Sequence, residues 1–211
     1  MSFLPIFPLQ LVAFPFENLN LHAFEPRYKQ LINDCLEKGL HFGIPSVIDK
    51  NLNMVGTEME LLSIEKTYSD GRMDIKTKGK RIFRITKYHK TVPDKLYSGA
   101  KVEWLDFDLE GQYTLYEEII NQIKELYQYM NIKKEVPQLT SEFNTFQIAH
   151  LVGFSINQEY KFLQISEERN RQDYLLNHLT KLIPVVKNME ELRKKIQMNG
   201  HFKNVTGSGE W

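Results

Sequence analysis

Three prolines, Pro5, Pro8 and Pro15, divide an otherwise apolar opening into the short runs Phe3–Phe7, Leu9–Phe14 and, beyond Pro15-Phe16-Glu17-Asn18, Leu19–Phe24. Each run is too short for a helix. Proline locks φ and has no N–H to donate, which confines these runs to edge strands, strand starts and turns. The chain therefore opens with short strands that bend sharply. In Glu25-Pro26-Arg27-Tyr28 the proline suits the first helical position, where its missing donor would have no partner, and Glu25 favours the positive end of the helix dipole. Tyr28, Leu31, Ile32, Cys35 and Leu36 then share one helical face, and Gly39 supplies a stop.

Alternation of period two dominates the next seventy residues. His41–Ile48 reads as a strand, Asp49–Asn53 as a turn and Met54–Tyr68 as a long strand. Ser69-Asp70-Gly71 has hairpin turn chemistry. Arg72–Thr77 returns as a half-buried strand, Gly79 interrupts it, Arg81–Tyr88 resumes, and Ala100–Phe107 is the last strand. Seven or eight strands with one early helix predict a curled β domain over residues 1–110, because glycine and proline at strand interruptions favour bends that close a sheet.

The period changes to 3.6 around Leu109–Gln112, which places a helical domain over residues 111–204. Tyr116, Ile119, Ile120, Ile123, Tyr127 and Met130 make one stripe of a helix over Tyr113–Met130. Thr140 or Ser141 caps a helix to about Gly153, and Ser155 with Gln158 forms a capping box for a short helix through Leu163. Ser166 caps another, with the stripe Leu175, Leu179, Leu182, Ile183 and Val186. Pro184 is expected to kink or end it, and Asn188 with Glu191 to open a last helix closed by Gly200. No heptad run indicates a coiled coil. The Gly- and Ser-bearing residues 205–211 are expected to form a disordered tail.

Leu4-Pro5-Ile6-Phe7-Pro8-Leu9, Phe14-Pro15 and Phe24-Glu25-Pro26-Arg27-Tyr28 resemble the opening of the N-terminal substrate-binding domain of the Lon family of ATP-dependent proteases. Val55-Gly56-Thr57-Glu58, Asp70-Gly71-Arg72 and Gly79–Ile85 follow in the order that family shows, and the resemblance covers about residues 3 to 187. It implies an α+β fold, a PUA-like β pseudo-barrel followed by an α-helical domain. It departs at Phe16, where the family usually has glycine. Full Lon proteases carry an ATPase module and a serine-lysine peptidase module after this domain. Neither is expected here, and the resemblance implies a stand-alone, non-catalytic module for unfolded or partner polypeptide, with a separate protease as a candidate companion.

The residues themselves carry little catalytic chemistry. A phosphate-cradling loop needs two glycines five residues apart followed by Lys and Ser or Thr. At Gly79-Lys80, Asp74 stands where the first glycine should be and Arg81 where the hydroxyl should be. The histidines His22, His41, His89, His150, His178 and His201 show no ligand spacing. No catalytic, cofactor or metal site is therefore expected. The single cysteine, Cys35, reads as a buried small hydrophobe, and Arg27 as a brace for its helix. No apolar run approaches the roughly 20 residues that span a bilayer, and with no leader pattern the expectation is a cytoplasmic protein that contacts no membrane.

Lys plus Arg equals Asp plus Glu at 27 each, whereas nucleic-acid binders usually carry a basic excess. The runner-up reading, an RNA-binding PUA-like module, rests on the local run Lys76, Lys78, Lys80, Arg81, Arg84 and Lys87. Asp74 and the neutral whole favour a solvated face there, so nucleic acid is disfavoured as a partner. The candidate polypeptide-binding residues are Phe14, Phe16, Leu19 and Leu21: an aromatic turn beside an apolar strand makes a patch of the kind that marks partner sites.

Overall fold

The computed structural model describes residues 2–203; the expected tail over 205–211 lies outside them. Six strands form one mixed sheet: β1 (Ser2–Ile6), β2 (Asn18–Ala23), β3 (Phe42–Ile48), β4 (Asn51–Thr67), β5 (Met73–His89) and β6 (Ser98–Leu105). β1 runs parallel to β3 and antiparallel to β6, and β4 pairs with β3 and β5. β5 also pairs with β6, so β1, β3, β4, β5 and β6 close on themselves. β2 stays outside this closure, paired with β5 alone.

Among the described residues the count is six strands, not seven or eight, because Gly79 does not interrupt β5. Residues 73–78 of that strand pair with β2 and residues 82–89 with β6. Gly79 stands at the changeover. Register shifts at Thr57/Met59, Leu61/Ser63 and Ile64/Lys66 bend β4 against β5, as extra residues on one strand of a pair do. The expected second run, Leu9–Phe14, contributes only the bridge Leu9–Ser46, since Pro8 and Pro15 deny it two ladder donors.

Helix α1 (Pro26–Lys38) has its proline in the first turn and ends on Gly39 at φ 63°, whose N–H reaches the Cys35 carbonyl. It buries Tyr28, Leu31, Ile32 and Cys35 against Phe7, Phe42, Ile44, Met59 and Ile75. The Phe7 and Tyr28 rings stack at 3.8 Å. A second cluster, Leu4, Ile6, Phe83, Ile85, Ala100 and Val102, fills the space among β1, β5 and β6.

Helix α2 (Tyr113–Tyr129) buries Tyr116, Ile119, Ile120, Ile123, Leu126 and Tyr127, while Met130 is exposed. The expected helix from 140 or 141 to 153 is only a 3₁₀ helix, Thr145–Leu151. Its start is held by Glu168, whose carboxylate accepts from the Thr145 N–H at 2.7 Å and hydroxyl at 2.9 Å. Helix α3 (Ile156–Leu163) carries the expected capping box, both Ser155–Gln158 bonds being present. Helix α4 (Glu168–Lys203) runs through Pro184 and takes in the expected separate helix from Asn188, continuing past Gly200. One proline removes one i→i−4 bond, and helical sequence on both sides carries the helix through.

The chain divides into two compact units. Of the described residues, one unit holds those through Glu110 together with Asn144–Glu168, and the other holds Gly111–Phe143 and those from Arg169 on. In the first, Phe146 and Phe162 pack on Phe14. In the second, Gln172 exchanges two 2.9 Å bonds with the Gln112 backbone, and Tyr116 meets Phe143 edge-on.

Candidate functional site

Pro15 fixes its own φ and leaves Phe16 to make the turn that delivers the chain into β2. Phe16 adopts φ 66°, in the left-handed region. A non-glycine residue there meets its own Cβ against the following carbonyl, at about 1–2 kcal/mol. Main-chain bonds hold the turn in place: Phe16 N–H donates to the Gly79 carbonyl at 2.9 Å, and Gly79 N–H returns to the Glu17 carbonyl at 2.9 Å. Glu17 also accepts from the Phe14 N–H at 3.0 Å. The aromatic is therefore carried in a conformation that glycine adopts freely.

The four candidate residues do not form one exposed patch. Phe14 is fully buried, its ring 5.8 Å from Phe146 and 5.9 Å from Phe162. It belongs to the core and offers no surface. Phe16 is 39 % exposed and meets Phe107 edge-on at 6.2 Å. Leu19 and Leu21 are half-buried on β2, resting on the α1 side of the core. Phe107, which sequence reasoning placed at the end of a strand without a role, links the surface ring to the interior, 5.4 Å from Phe146. It also walls a cleft of about 270 Å³ with Arg84, Trp104, Gln164 and Ser166.

The turn is tied to α3 by an imidazole. His150 Nε2 lies 3.2 Å from Glu17 and its Nδ1 2.7 Å from Glu159, with the Phe14 ring at 4.9 Å. Both partners are acceptors, so only the doubly protonated ring satisfies both. Burial lowers the pKa of His150, but the bonds to Glu159 and Glu17 outweigh it, and the pKa is raised to about 9.

On the sheet, cations of the basic run are spent on neighbouring carboxylates. Lys76 pairs with Glu65 at 2.8 Å, Lys80 with Glu60 at 3.0 Å and Arg84 with Glu103 at 3.3 Å. Arg81 grips the buried Glu58 through two bonds, 2.7 and 2.9 Å, and lies 3.6 Å over the Trp104 ring. His41 is a further partner of Glu58 at 3.0 Å. Burial would raise the Glu58 pKa; the bonds from Arg81 and His41 bring it below the usual range.

The remaining polar residues read as structural. Asp34 receives Lys95 at 2.6 Å, Tyr97 at 2.5 Å and Lys38 at 3.0 Å. Arg27 pairs with Glu25 at 2.8 Å and lies over the Tyr28 ring, bracing the start of α1. Cys35 is buried, and burial followed by the Asp34 charge pushes its thiol up to about 12, far from a nucleophile. Among the described residues no group of three or more His, Cys, Asp or Glu could hold a metal ion, and no helix is long and apolar enough to cross a membrane.

Comparison with known families matches residues 3–181 to the ATP-dependent protease La (LON) substrate-binding domain. Among solved structures, the chain is similar to a Lon N-terminal domain protein from Xanthomonas campestris, with 26% identity and a TM-score of 0.64 over 84% of this chain and 98% of that one. It is also similar to the N-terminal domain of the Mycobacterium avium complex Lon protease, with 14% identity and a TM-score of 0.60 over 85% of this chain and 98% of that one. No curated protein matches. The fold is accordingly α+β, a PUA-like β pseudo-barrel followed along the chain by helical structure.

Proposed function

The chain belongs to the ATP-dependent protease La (LON) substrate-binding domain family, and on that basis we propose that it is a non-catalytic module that binds non-native polypeptide through the segment from Phe16 to Leu21. One observation carries this reading: Phe16 keeps a 39 % exposed ring at a left-handed position where glycine would be free of strain. Strain of this kind persists where the surroundings over-determine it, and it gathers at ligand sites. The exposed ring with Phe107 behind it offers one apolar contact for a chain segment, and the half-buried Leu19 and Leu21 on the following strand offer a second. An RNA ligand fits the surface less well. Lys76, Lys80, Arg81 and Arg84 already face carboxylates, so phosphates would have to compete with them.

Fluorescence anisotropy with labelled lactalbumin tests the reading, comparing the reduced, carboxymethylated protein with its native form. Binding of the unfolded form alone, weakened by Phe16→Ser in a variant that keeps its melting temperature, is the expected result. Equal binding of both forms, or none of either, would remove it.

A further inference from the structure

We infer that the unpaired edge of β2 takes a client polypeptide as an added β-strand, so that recognition runs through the client's backbone. The inference rests on the polypeptide-binding reading above and assigns it a mechanism.

β2 ends the sheet order and pairs with β5 alone, in an unbroken register from Asn18–Lys78 to Ala23–Met73. One side of its main chain therefore presents donors and acceptors that no other strand among the described residues meets. Natural sheets protect such edges with lysine, proline, bulges or inward charges. Asn18-Leu19-Asn20-Leu21-His22-Ala23 has none of these. Several other stretches pair with one strand only and carry such protection: residues 2–5 of β1 include Pro5, residues 44–48 of β3 include Pro45 and a register shift, and residues 61–67 of β4 contain two register shifts with Glu65 and Lys66. β2 ends the sheet order and lacks the protection that these stretches carry.

The side chains specify the occupant. Leu19 and Leu21 face the core but are only half-buried, so the flank they leave open would be covered by apolar residues of an incoming strand. On the opposite face Asn20 and His22 are exposed, and a cleft of about 380 Å³ is bounded there by His22, Asp74, Lys76 and Glu65. His22 pairs with Asp74 at 2.5 Å and Lys76 with Glu65 at 2.8 Å, so the polar groups on this face already have partners. The fitting ligand is an extended segment of about six residues that alternates apolar and polar, the pattern of a strand a client has failed to bury. A second copy of this chain fits less well: a six-residue edge is about 20 Å long, and two of them meeting bury far less than the roughly 1,200 Å² of a stable dimer.

N-methylated peptides test this with the full chain. The probe is a fluorescent octapeptide alternating valine with lysine or glutamate, with two derivatives methylated on the backbone nitrogens of the odd or of the even residues. Strand addition uses one edge of the ligand only. One derivative should therefore lose affinity about tenfold or more while the other binds within about threefold of the parent. Amide exchange in residues 18–23 should slow on peptide addition at alternate positions, those not already bonded to β5. Equal retention or equal loss in the two derivatives overturns strand addition. If unfolded lactalbumin still binds in a Phe16-dependent manner, the proposed function survives that failure; if nothing binds, both fall. Protection of the same amides without peptide, rising with protein concentration alongside a doubled mass, would give the edge to a second copy and overturn the inference.

Discussion

A Cβ placed on Gly79 would stand 2.0 Å from the carbonyl oxygen of Phe14 and 3.3 Å from the Cα of Pro15. The turn that carries Phe16 is thus seated directly on the backbone of β5, at the residue where that strand changes neighbours from β2 to β6. No side chain yields in such a contact, because both obstacles are main chain. Gly79→Ala should cost about 3 kcal/mol or more, measured by urea unfolding. A cost below about 1 kcal/mol would mean the turn is not held against β5.

Phe16→Gly separates folding from binding. It relieves about 1 kcal/mol of left-handed strain, gives back about 0.5–1 kcal/mol through the freer unfolded chain and loses an aromatic contact with Phe107 of similar size. Stability should stay within about 1 kcal/mol of the parent, while affinity for unfolded polypeptide falls about tenfold. Unchanged affinity would take Phe16 out of the binding surface.

The Glu17–His150–Glu159 bridge makes stability fall in alkali. The folded pKa of His150 is raised from 6.5 to about 9, so the folded state binds the proton more tightly than the unfolded chain. The contribution is fully present below about pH 6.5 and is lost as pH rises through about 9. Melting temperatures between pH 6 and 10 should decline across that window in the parent and decline less in His150→Gln. Parallel profiles would refute the bridge.

Asp34 has the opposite sign. Bonds from Lys95 and Tyr97, together with Lys38, outweigh burial and hold its carboxyl well below the usual range. Its contribution is present above about pH 4 and disappears only as pH falls through the depressed folded value. Asp34→Asn leaves Lys95 facing a neutral group and should cost on the order of 3 kcal/mol at pH 7, read from denaturant midpoints. A loss under about 0.5 kcal/mol would show that the cluster contributes little to anchoring residues 95–97 to α1.

Local rules made much of the fold legible. Pro26 and Gly39 bracket α1 in sequence as they do in space, because each acts through its own φ. The Ser155–Gln158 box forms for the same reason, its partners being three residues apart. The stripe Ile119, Ile120 and Ile123 faces inward on α2 because helical periodicity alone puts those residues together. The motif residues from Leu4 to Tyr28 were enough to mark the family.

Where local rules misled, a distant partner had decided. Gly79 reads as a break until the Phe14 carbonyl is seen to need the space above it, sixty-five positions away by residue number. Pro184 reads as a kink or an end, and the helix does not end there, because one missing bond is small against the helical residues on either side. Phe14 and Phe16 are two positions apart and equally apolar. Phe146 and Phe162 cover the first, while Phe107 touches only the edge of the second, and this separates core from surface. The open side of β2 has no sequence signal, because an unpaired edge is defined by the strand that is not beside it. Side-chain periodicity and φ preferences act over a few residues and are written in the chain; exposure and pairing depend on what the rest of the chain brings near, and only the folded molecule decides them.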